Sequence, residues 1–347
     1  MRTRNAIITI AGALASVLAL ALASAGLASC AKSTLPEGLW AVVSTGKGDI
    51  TIKLAYDKSP LTVGNFVGLA EGKLGPNKGK PFYDGLGFHR VEAGFVVQGG
   101  DPKGTGEGDP GYAFPNEIAP DLKFDTEGVL GMANAGPDSN GCQFFITLKA
   151  SPFLDGNYPV FGKIEKGMEV VKKIAVGDKM TKVRIVRSGA AATAFKSDQA
   201  SFDARKALVL STSARKADES RATAIAAINA RWPDLAREAN GMFRKILKAG
   251  SGARPVAGDN VSVNYKGMLV DGTVFDESAK HGGPFKVKAG AGQVIPGWDQ
   301  TLLDMTLGEK RIVVIPPELA YGAQGAGGVI PPNAFIAFEM ELVDITK

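Results

Sequence analysis

Cysteine and histidine are nearly absent from this sequence, with two of each among 347 residues. So few thiols and imidazoles exclude a Cys/His zinc cage and a framework of several disulfides. A strong excess of charge is also missing, because 40 basic residues face 35 acidic ones and leave a net charge of +5. That balance excludes a nucleic-acid binder with concentrated basic arms. We therefore expect no metal, no cofactor and no nucleic-acid partner.

The chain is long enough for about two domains, and 45% hydrophobic residues are ample for a core in each. The high glycine and proline counts, 44 and 19, indicate turn-rich β structure. No Gly-x-x-x-x-Gly-Lys-Ser/Thr loop is present, so ATP-driven chemistry is not expected.

The N-terminus is typical of an export signal. Arg2 and Arg4 precede an uncharged run, residues 5–31, rich in Ala and Leu. Its Leu-Ala-Ser-Cys sequence, ending at Cys30, resembles the lipobox of bacterial lipoproteins, where the cysteine receives a diacylglycerol. We expect a signal peptide at 1–29, lipidation of Cys30 and a tether at 30–38. An uncleaved signal anchor is the alternative, because the run could span about 30 Å of hydrocarbon.

Both alternatives place the rest of the chain outside the cytoplasm. The expected location is the cell envelope, at the periplasmic face or the cell surface, with the membrane contacted through the lipid on Cys30. We expect the protein to be a monomer.

Three regions follow the tether. Residues 39–189 and 241–347 are rich in glycine and β-type runs, whereas residues 190–240 contain no glycine and favour helix. In this helical linker Ser197 is a candidate N-cap, and Asp218 is a candidate start of a second helix. One continuous helix and a folded-back pair are both compatible with the sequence.

Residues 88–101, FHRVEAGFVVQGGD, and 128–145, GVLGMANAGPDSNGCQFF, carry a family resemblance. Together with FLDGNYPVFG at 153–162 they are similar to the cyclophilin family of peptidyl-prolyl isomerases, over about 150 residues. The resemblance implies an eight-stranded barrel with two capping helices and an outer groove that binds a peptide across an X-Pro bond.

Arg90 is the catalytic residue by family position. Rotating a peptide bond costs about 18–20 kcal/mol, because the C–N bond has double-bond character. The always-charged guanidinium fork of Arg90 can interact with the prolyl carbonyl or with the nitrogen as it becomes pyramidal. His89 is a tempting general base, but no proton transfer is required, so we interpret it as structural. We interpret Cys142 as a small buried thiol.

The resemblance assigns the remaining groove residues to three tasks. The seat for the proline ring is expected from Phe95, Phe145 and Leu154. Gln98 and the backbone around Asn134 are expected to hold the peptide main chain. The groove lining is expected from Val96, Ala133, Ala135, Phe153 and Tyr158.

Three of these positions depart from many cyclophilins, since Val96, Phe153 and Tyr158 replace methionine, tryptophan and histidine. These departures put cyclosporin binding in doubt more than catalysis. Gly106, Gly108 and Gly111 form a G-x-G-x-x-G pattern. Pro110 and Pro115 follow where a dinucleotide fold needs a helix, so the pattern predicts a loop beside the groove.

The last region carries a second resemblance. VNYKGMLVDGTVFDES at 263–278, VIPGWDQTLLDMTLGEKR at 294–311 and LAYGAQGAGGVIPPNAFIAFEMEL at 319–342 are similar to the FKBP family. The implied fold is an antiparallel sheet wrapped on a helix that starts at Trp298, and this helix forms the floor of a proline pocket. The implied walls are Tyr265, Phe275, Phe285, Val294, Ile295, Ile330 and Phe338.

No charged fork is expected at this second site. A dry aromatic pocket disfavours the charge-separated amide form, while the Ile295 N–H and the Tyr321 O–H position the peptide. Asp276 is expected to orient neighbouring groups. Gln293, His281 and Ala326 depart from common family residues and put substrate preference in doubt.

The sequence therefore predicts a mainly β protein with α elements: a cyclophilin-like barrel and an FKBP-like domain joined by a helical linker. The expected function is X-Pro isomerisation in exported proteins, with proline-containing clients as partners. The alternative is a non-catalytic chaperone or surface binder of proline-containing segments. A third, intermediate alternative is that one domain is catalytic and the other only binds clients.

Overall fold

A computed structural model describes residues 35–76 and 78–347. The predicted signal peptide and Cys30 lie outside the described residues. The chain forms two compact units with their boundary between Lys206 and Ala207. No helix in the described ranges is long and apolar enough to cross a membrane.

The first unit is built on an antiparallel eight-stranded sheet in the order β3-β4-β6-β5-β7-β2-β1-β8. The strands are β1 Gly38–Thr45, β2 Gly48–Leu54, β3 Phe88–Glu92, β4 Val96–Gly99, β5 Val129–Met132, β6 Phe144–Thr147, β7 Val160–Lys166 and β8 Met180–Ser188. The two edge strands approach each other, because the Phe88 N–H donates to the Asp178 carbonyl at 2.8 Å. Gly87 forms an isolated antiparallel bridge with Lys179. The sheet therefore curls on itself, which confirms the expected fold class.

Two helices, α1 Pro60–Ala70 and α2 Met168–Val171, accompany this sheet. Helix α1 is buried from Leu61 to its end, and Phe66 packs against Phe144 and Phe161 of the sheet with ring centroids 5.5 Å apart. The Ser59 side chain does not cap this helix. Instead the Glu117 carboxylate accepts the N–H groups of Leu61 and Thr62 at 3.0 and 2.8 Å.

Residues 190–240 are helical, but the helix starts differ from the predictions. The helices are α3 Ala190–Ala194 and α4 Gln199–Arg231. Ser197 is not a cap, since its hydroxyl donates to Glu71 Oε2 at 2.9 Å, and the Asp198 carboxylate accepts the Ser201 N–H instead. Asp218 does not start a helix, because α4 runs through it without a break.

The second unit contains a seven-stranded antiparallel sheet in the order β12-β11-β15-β14-β10-β9, with β13 also paired to β11. Its strands are β9 Ala236–Arg237, β10 Phe243–Lys248, β11 Asn260–Leu269, β12 Val274–Glu277, β13 Phe285–Lys288, β14 Lys310–Ile315 and β15 Ile336–Thr346. Helix α5, Pro296–Asp304, places Trp298 and Leu302 in one buried cluster with Val263 and Ile315. The expected sheet packed on a helix is confirmed.

Candidate active sites

The first unit has a groove of about 270 Å³ on the strands that the sequence motifs form. It is lined by ten of the eleven predicted residues: Arg90, Phe95, Val96, Gln98, Ala133, Asn134, Phe145, Phe153, Leu154 and Tyr158. The eleventh, Ala135, lines an adjoining pocket of about 270 Å³ together with Gln98 and Asn134. The structure thus brings all the predicted groove residues into two adjoining cavities.

Arg90 and Gln98 are directly opposite each other on the antiparallel strands β3 and β4. Because residues in register share one face of a sheet, their side chains meet, and Arg90 Nη1 donates to Gln98 Oε1 at 3.0 Å. Arg90 also pairs with Glu92, to which the sequence analysis gave no role. The groove therefore presents a fixed cation at one end.

Aromatic rings form the apolar part of the groove. Phe145 is 5% exposed, and its ring meets Tyr158 edge-on with centroids 5.6 Å apart. Phe95 stacks on Phe153, whose side chain is 66% exposed. Leu154 belongs to the same buried cluster as Phe145. These surfaces form a seat of the size and polarity that a proline ring needs.

Asn134 supplies a free stretch of backbone. Its side chain is committed to the surrounding loop, since Nδ2 donates to the Asn157 carbonyl at 3.1 Å and to Asn140 Oδ1 at 3.2 Å. The backbone N–H and carbonyl of Asn134 have no hydrogen-bond partner among residues 35–76 and 78–347. This peptide group can pair with the main chain of a bound peptide, as predicted for this position.

Sequence reasoning missed two residues that shape this site. Gly131 lies opposite Phe145, and a Cβ at this position would lie 2.5 Å from the Phe145 ring, so only glycine leaves room for the seat. Gln143 accepts from Gln98 Nε2 at 2.9 Å and donates to the carbonyls of Gly106 and Gly108, both at 2.9 Å. Gln143 could have been found as the polar residue that precedes the apolar strand β6.

The glycine pattern at Gly106, Gly108 and Gly111 forms a loop beside the groove, as predicted. The buried Asp101 carboxylate holds this loop by accepting the N–H groups of Lys103 and Thr105. A Cβ on Gly108 would lie 1.7 Å from Asp101 Oδ1, which explains the glycine.

Two titratable residues near the groove do not serve chemistry. Burial lowers the pKa of His89, which favours its neutral imidazole. Cys142 is completely buried, and this burial raises the pKa of its thiol to about 12. The thiol is therefore protonated and is not a nucleophile, as predicted.

The second unit has a larger pocket, of about 570 Å³. It is lined by nine of the ten predicted residues together with Gly292 and Gln293: Tyr265, Phe275, Asp276, Phe285, Val294, Ile295, Trp298, Tyr321 and Phe338. Ile330 is not in the lining. It is 8% exposed and packs in the buried core cluster that also contains Trp298 and Phe338.

Trp298 is surrounded edge-on by three of the pocket rings. Its centroid lies 5.1 Å from Tyr265, 5.1 Å from Phe338 and 6.0 Å from Phe285, with interplanar angles between 78° and 85°. Gly267 makes room for two walls, since a Cβ there would lie 2.6 Å from Phe275 and 2.8 Å from Phe338. The pocket is a rigid aromatic box with an apolar floor.

Two groups in this pocket are arranged for polar contact. The Tyr265 hydroxyl donates to Asp276 Oδ2 at 2.6 Å, and this hydrogen bond is the main cause that lowers the pKa of Asp276. His281 Nε2 lies 2.8 Å from Asp276 Oδ1. The Ile295 N–H has no hydrogen-bond partner within the part of the chain that the structure describes, so it is free to donate to a peptide carbonyl.

Comparison with known proteins finds a separate match for each unit. The profile of the family described as cyclophilin type peptidyl-prolyl cis-trans isomerase/CLD matches residues 41–190. The profile described as FKBP-type peptidyl-prolyl cis-trans isomerase matches residues 252–343.

Curated relatives match part of the chain. Peptidyl-prolyl cis-trans isomerase A of Mycobacterium tuberculosis is 46% identical over 149 residues, which cover 39% of this chain and 81% of that protein. Isomerase B of Streptomyces anulatus is 45% identical over 150 residues, covering 41% and 86%. Among solved structures, that of AtFKBP13 is 36% identical and covers 32% of this chain and 98% of that one, with a TM-score of 0.31.

Proposed function

Since the chain belongs to the cyclophilin-type peptidyl-prolyl cis-trans isomerases and carries an FKBP-type isomerase domain as well, we propose that it assists the folding of exported proteins at X-Pro bonds. The chain is a two-domain peptidyl-prolyl isomerase. Beyond this activity, we propose that the protein acts on exported clients and is attached to a membrane. Uncatalysed X-Pro isomerisation takes tens to hundreds of seconds, which makes it a slow step that a client benefits from having accelerated.

In the first groove we assign Arg90 to the reacting bond. The groove seats the proline ring on Phe145, and the free peptide group of Asn134 pairs with the client main chain. Both contacts hold the substrate while the guanidinium donates to the carbonyl or the nitrogen of the twisting bond. Interactions that are stronger with the twisted state than with the planar one lower the barrier. No covalent bond breaks, so no nucleophile is needed.

In the second pocket we assign catalysis to desolvation. The planar amide is stabilised by charge separation, and an apolar box around it disfavours that separated form relative to the twisted state. The Ile295 N–H and the half-exposed Tyr321 hydroxyl orient the peptide at the rim. The single observation that supports two separate sites on one chain is that each unit has a pocket lined by its own residues.

The proposed location rests on the sequence of residues 2–30, with its basic start, apolar run and Leu-Ala-Ser-Cys ending. We propose that Cys30 carries the lipid, that the protein is a monomer, and that it works at the periplasmic face or the cell surface. Mass spectrometry of the membrane-extracted protein tests this assignment. A diacylated N-terminal cysteine at position 30 supports it, and an intact N-terminus or an unmodified Cys30 contradicts it.

Activity is tested with the chain from residue 31 onward. The rate of cis-to-trans conversion of an X-Pro peptide is compared among the wild type, Arg90→Ala, and the double variant Phe275→Ala with Tyr321→Phe. We expect Arg90→Ala and the double variant each to remove the contribution of one site to the catalysed rate. All three substitutions together should remove the whole catalysed rate. A combination that keeps the wild-type rate would refute the site assignments. The same variants in refolding of a proline-limited client test the folding role.

A further inference from the structure

Glu92 is the partner of Arg90 for which neither the sequence motifs nor the comparisons give a role. It lies two residues after Arg90 on β3, so both side chains project from the same face of the strand. Its Oε1 accepts from Arg90 Nε at 3.1 Å and from Arg90 Nη2 at 2.5 Å. The carboxylate therefore occupies one whole edge of the guanidinium.

Counting the hydrogen bonds of Arg90 shows which of its N–H donors remain free to bind a client. A guanidinium has five N–H donors. Glu92 takes one on Nε and one on Nη2, and Gln98 takes one on Nη1. One N–H on each terminal nitrogen then has no partner in the described ranges. These two donors remain available to an incoming carbonyl.

Gln98 holds the opposite side in a fixed orientation. Its Nε2 donates to Gln143 Oε1, and Gln143 donates onward to two loop carbonyls. Because carbonyls only accept, the amide of Gln143 has one possible orientation, and the amide of Gln98 follows from it. The Gln98 oxygen must then face Arg90. The guanidinium is held between an acceptor with fixed orientation and the Glu92 carboxylate.

The ion pair is exposed, with 44% of the Arg90 side chain and 48% of the Glu92 side chain accessible. Exposed pairs of this kind contribute little to folding stability. The consequence of Glu92 therefore lies in the groove: it fixes the direction of Arg90 before a client arrives, and its negative charge offsets the positive charge of Arg90.

We propose that Glu92 is a positioning residue of the first active site, which directs the two free N–H groups of Arg90 toward the client and keeps the groove from favouring acidic segments. This inference rests on the catalytic role proposed for Arg90. Because Glu92 attracts Lys and Arg and repels Asp and Glu, its presence shifts the preference of the groove away from clients with an acidic residue beside the proline and toward clients with a basic one.

The test uses the chain from residue 31 onward with the second site disabled by Phe275→Ala and Tyr321→Phe. Glu92→Ala, Glu92→Gln and the control Glu127→Ala are compared. Glu127 is a matched control because it forms an exposed pair with Lys172 and lines neither pocket of the active site. The values of kcat and KM are measured with a neutral X-Pro peptide, and kcat/KM is measured with matched peptides that carry Glu or Lys beside the proline.

We expect Glu92→Ala to lower kcat about five-fold with little change in KM, since Arg90 must then be oriented during the reaction. Glu92→Gln keeps an acceptor oxygen and should lose about two-fold in kcat. Both variants should raise the ratio of kcat/KM for the Glu peptide to that for the Lys peptide about five-fold. The control should change none of these values, and the melting temperatures should agree among all variants.

A double-mutant cycle decides whether Glu92 acts through Arg90. On an Arg90→Lys background, which keeps a cation but has no guanidinium for Glu92 to orient, Glu92→Ala should have no further effect on the residual kcat. Equal effects of Glu92→Ala with and without Arg90, or kinetics identical to those of Glu127→Ala, would overturn the proposal. If the rate survives Arg90→Ala, the proposal for Glu92 fails together with the role of Arg90. If the rate is lost in Arg90→Ala but kept in Glu92→Ala, only the role of Glu92 is rejected.

Discussion

Arg187 on strand β8 and Glu71 at the end of helix α1 form a two-point ion pair, with Nη1 on Oε1 and with Nη2 3.1 Å from Oε2. The Glu71 side chain is only 19% exposed and also accepts from Lys73 and Ser197. The pair ties helix α1 to the last strand of the sheet, and it joins residues 116 positions apart in the chain.

This pair makes the stability of the first unit pH-dependent. Burial alone would raise the pKa of Glu71, but the hydrogen bonds from Arg187, Lys73 and Ser197 lower it to about 2, against 4.5 for a free side chain. Because the pKa of Glu71 is lower in the folded chain, its ionised carboxylate stabilises the fold fully above the pKa of the unfolded chain. This stabilisation is lost as the pH falls from about 4.5 toward 2. The pH-dependent contribution of Glu71 to the free energy of unfolding is about 3 kcal/mol. Melting curves between pH 1.5 and 7 for wild type and Glu71→Gln measure it. The two curves should converge at the acidic end, and a constant offset across the range would contradict the prediction.

Helix α1 depends on a residue distant in the chain for its cap. Glu117→Ala removes the acceptor for the N–H groups of Leu61 and Thr62 and for the Thr62 hydroxyl. We expect the free energy of unfolding to fall by about 2 kcal/mol, since buried donors lose their partner. Glu117→Gln keeps an amide acceptor and should lose about half as much. Urea unfolding measures both, with Glu127→Ala as the surface control, and equal stability of Glu117→Ala and this control would rule out the cap.

Gly108→Ala should damage the first site without changing any of the eleven predicted groove residues. The added Cβ would lie 1.7 Å from Asp101 Oδ1, so the loop must shift and Gln143 loses its carbonyl acceptors. We expect kcat/KM of the first site to fall about five-fold, because Gln98 is then free to turn away from Arg90. Gly46→Ala, in the turn between β1 and β2, is the matched control, since its φ is not left-handed and a Cβ there meets no atom within 4 Å. Full activity of Gly108→Ala would show that the loop does not support the site.

Tyr265→Phe tests the polar pair in the second pocket. The Tyr265 hydroxyl is the first cause of the lowered pKa of Asp276, so its removal should raise that pKa toward its usual range. A carboxyl-carbon NMR titration of Asp276 measures the shift. The remaining contact with His281 should keep the Asp276 pKa below that of an unpaired carboxyl. With Arg90→Ala silencing the first site, the variant should also isomerise an X-Pro peptide about three-fold more slowly. An unchanged titration would show that Tyr265 does not control Asp276.

The local sequence pattern was sufficient to predict most of the residues that line the two sites. Arg90 and Gln98 lie in short motifs on paired strands, so their common face follows from spacing once the family is identified. Phe275 and Asp276 are neighbours on β12, and both line the pocket at a point where the pairing of β12 with β11 shifts register. Ile330 lies in a loop, where no strand or helix period shows which way a side chain points, and the structure places it in the core cluster and not in the pocket lining. Ser197 was misassigned because Ser197 and Asp198 are equally good caps by residue type, and Glu71, 126 positions away, binds the first of them.

Contiguous motifs were enough to predict the two domain families, the mainly β architecture and nearly all of the pocket-lining residues. Three-dimensional packing was needed to show that Glu117 caps helix α1, that Gly131 opens the seat for Phe145 and that Gln143 fixes the amide of Gln98. Each of these depends on atoms brought within a few ångströms from distant positions. The identity of a residue shows which bonds it can form, and folding decides which partner is near enough to form them.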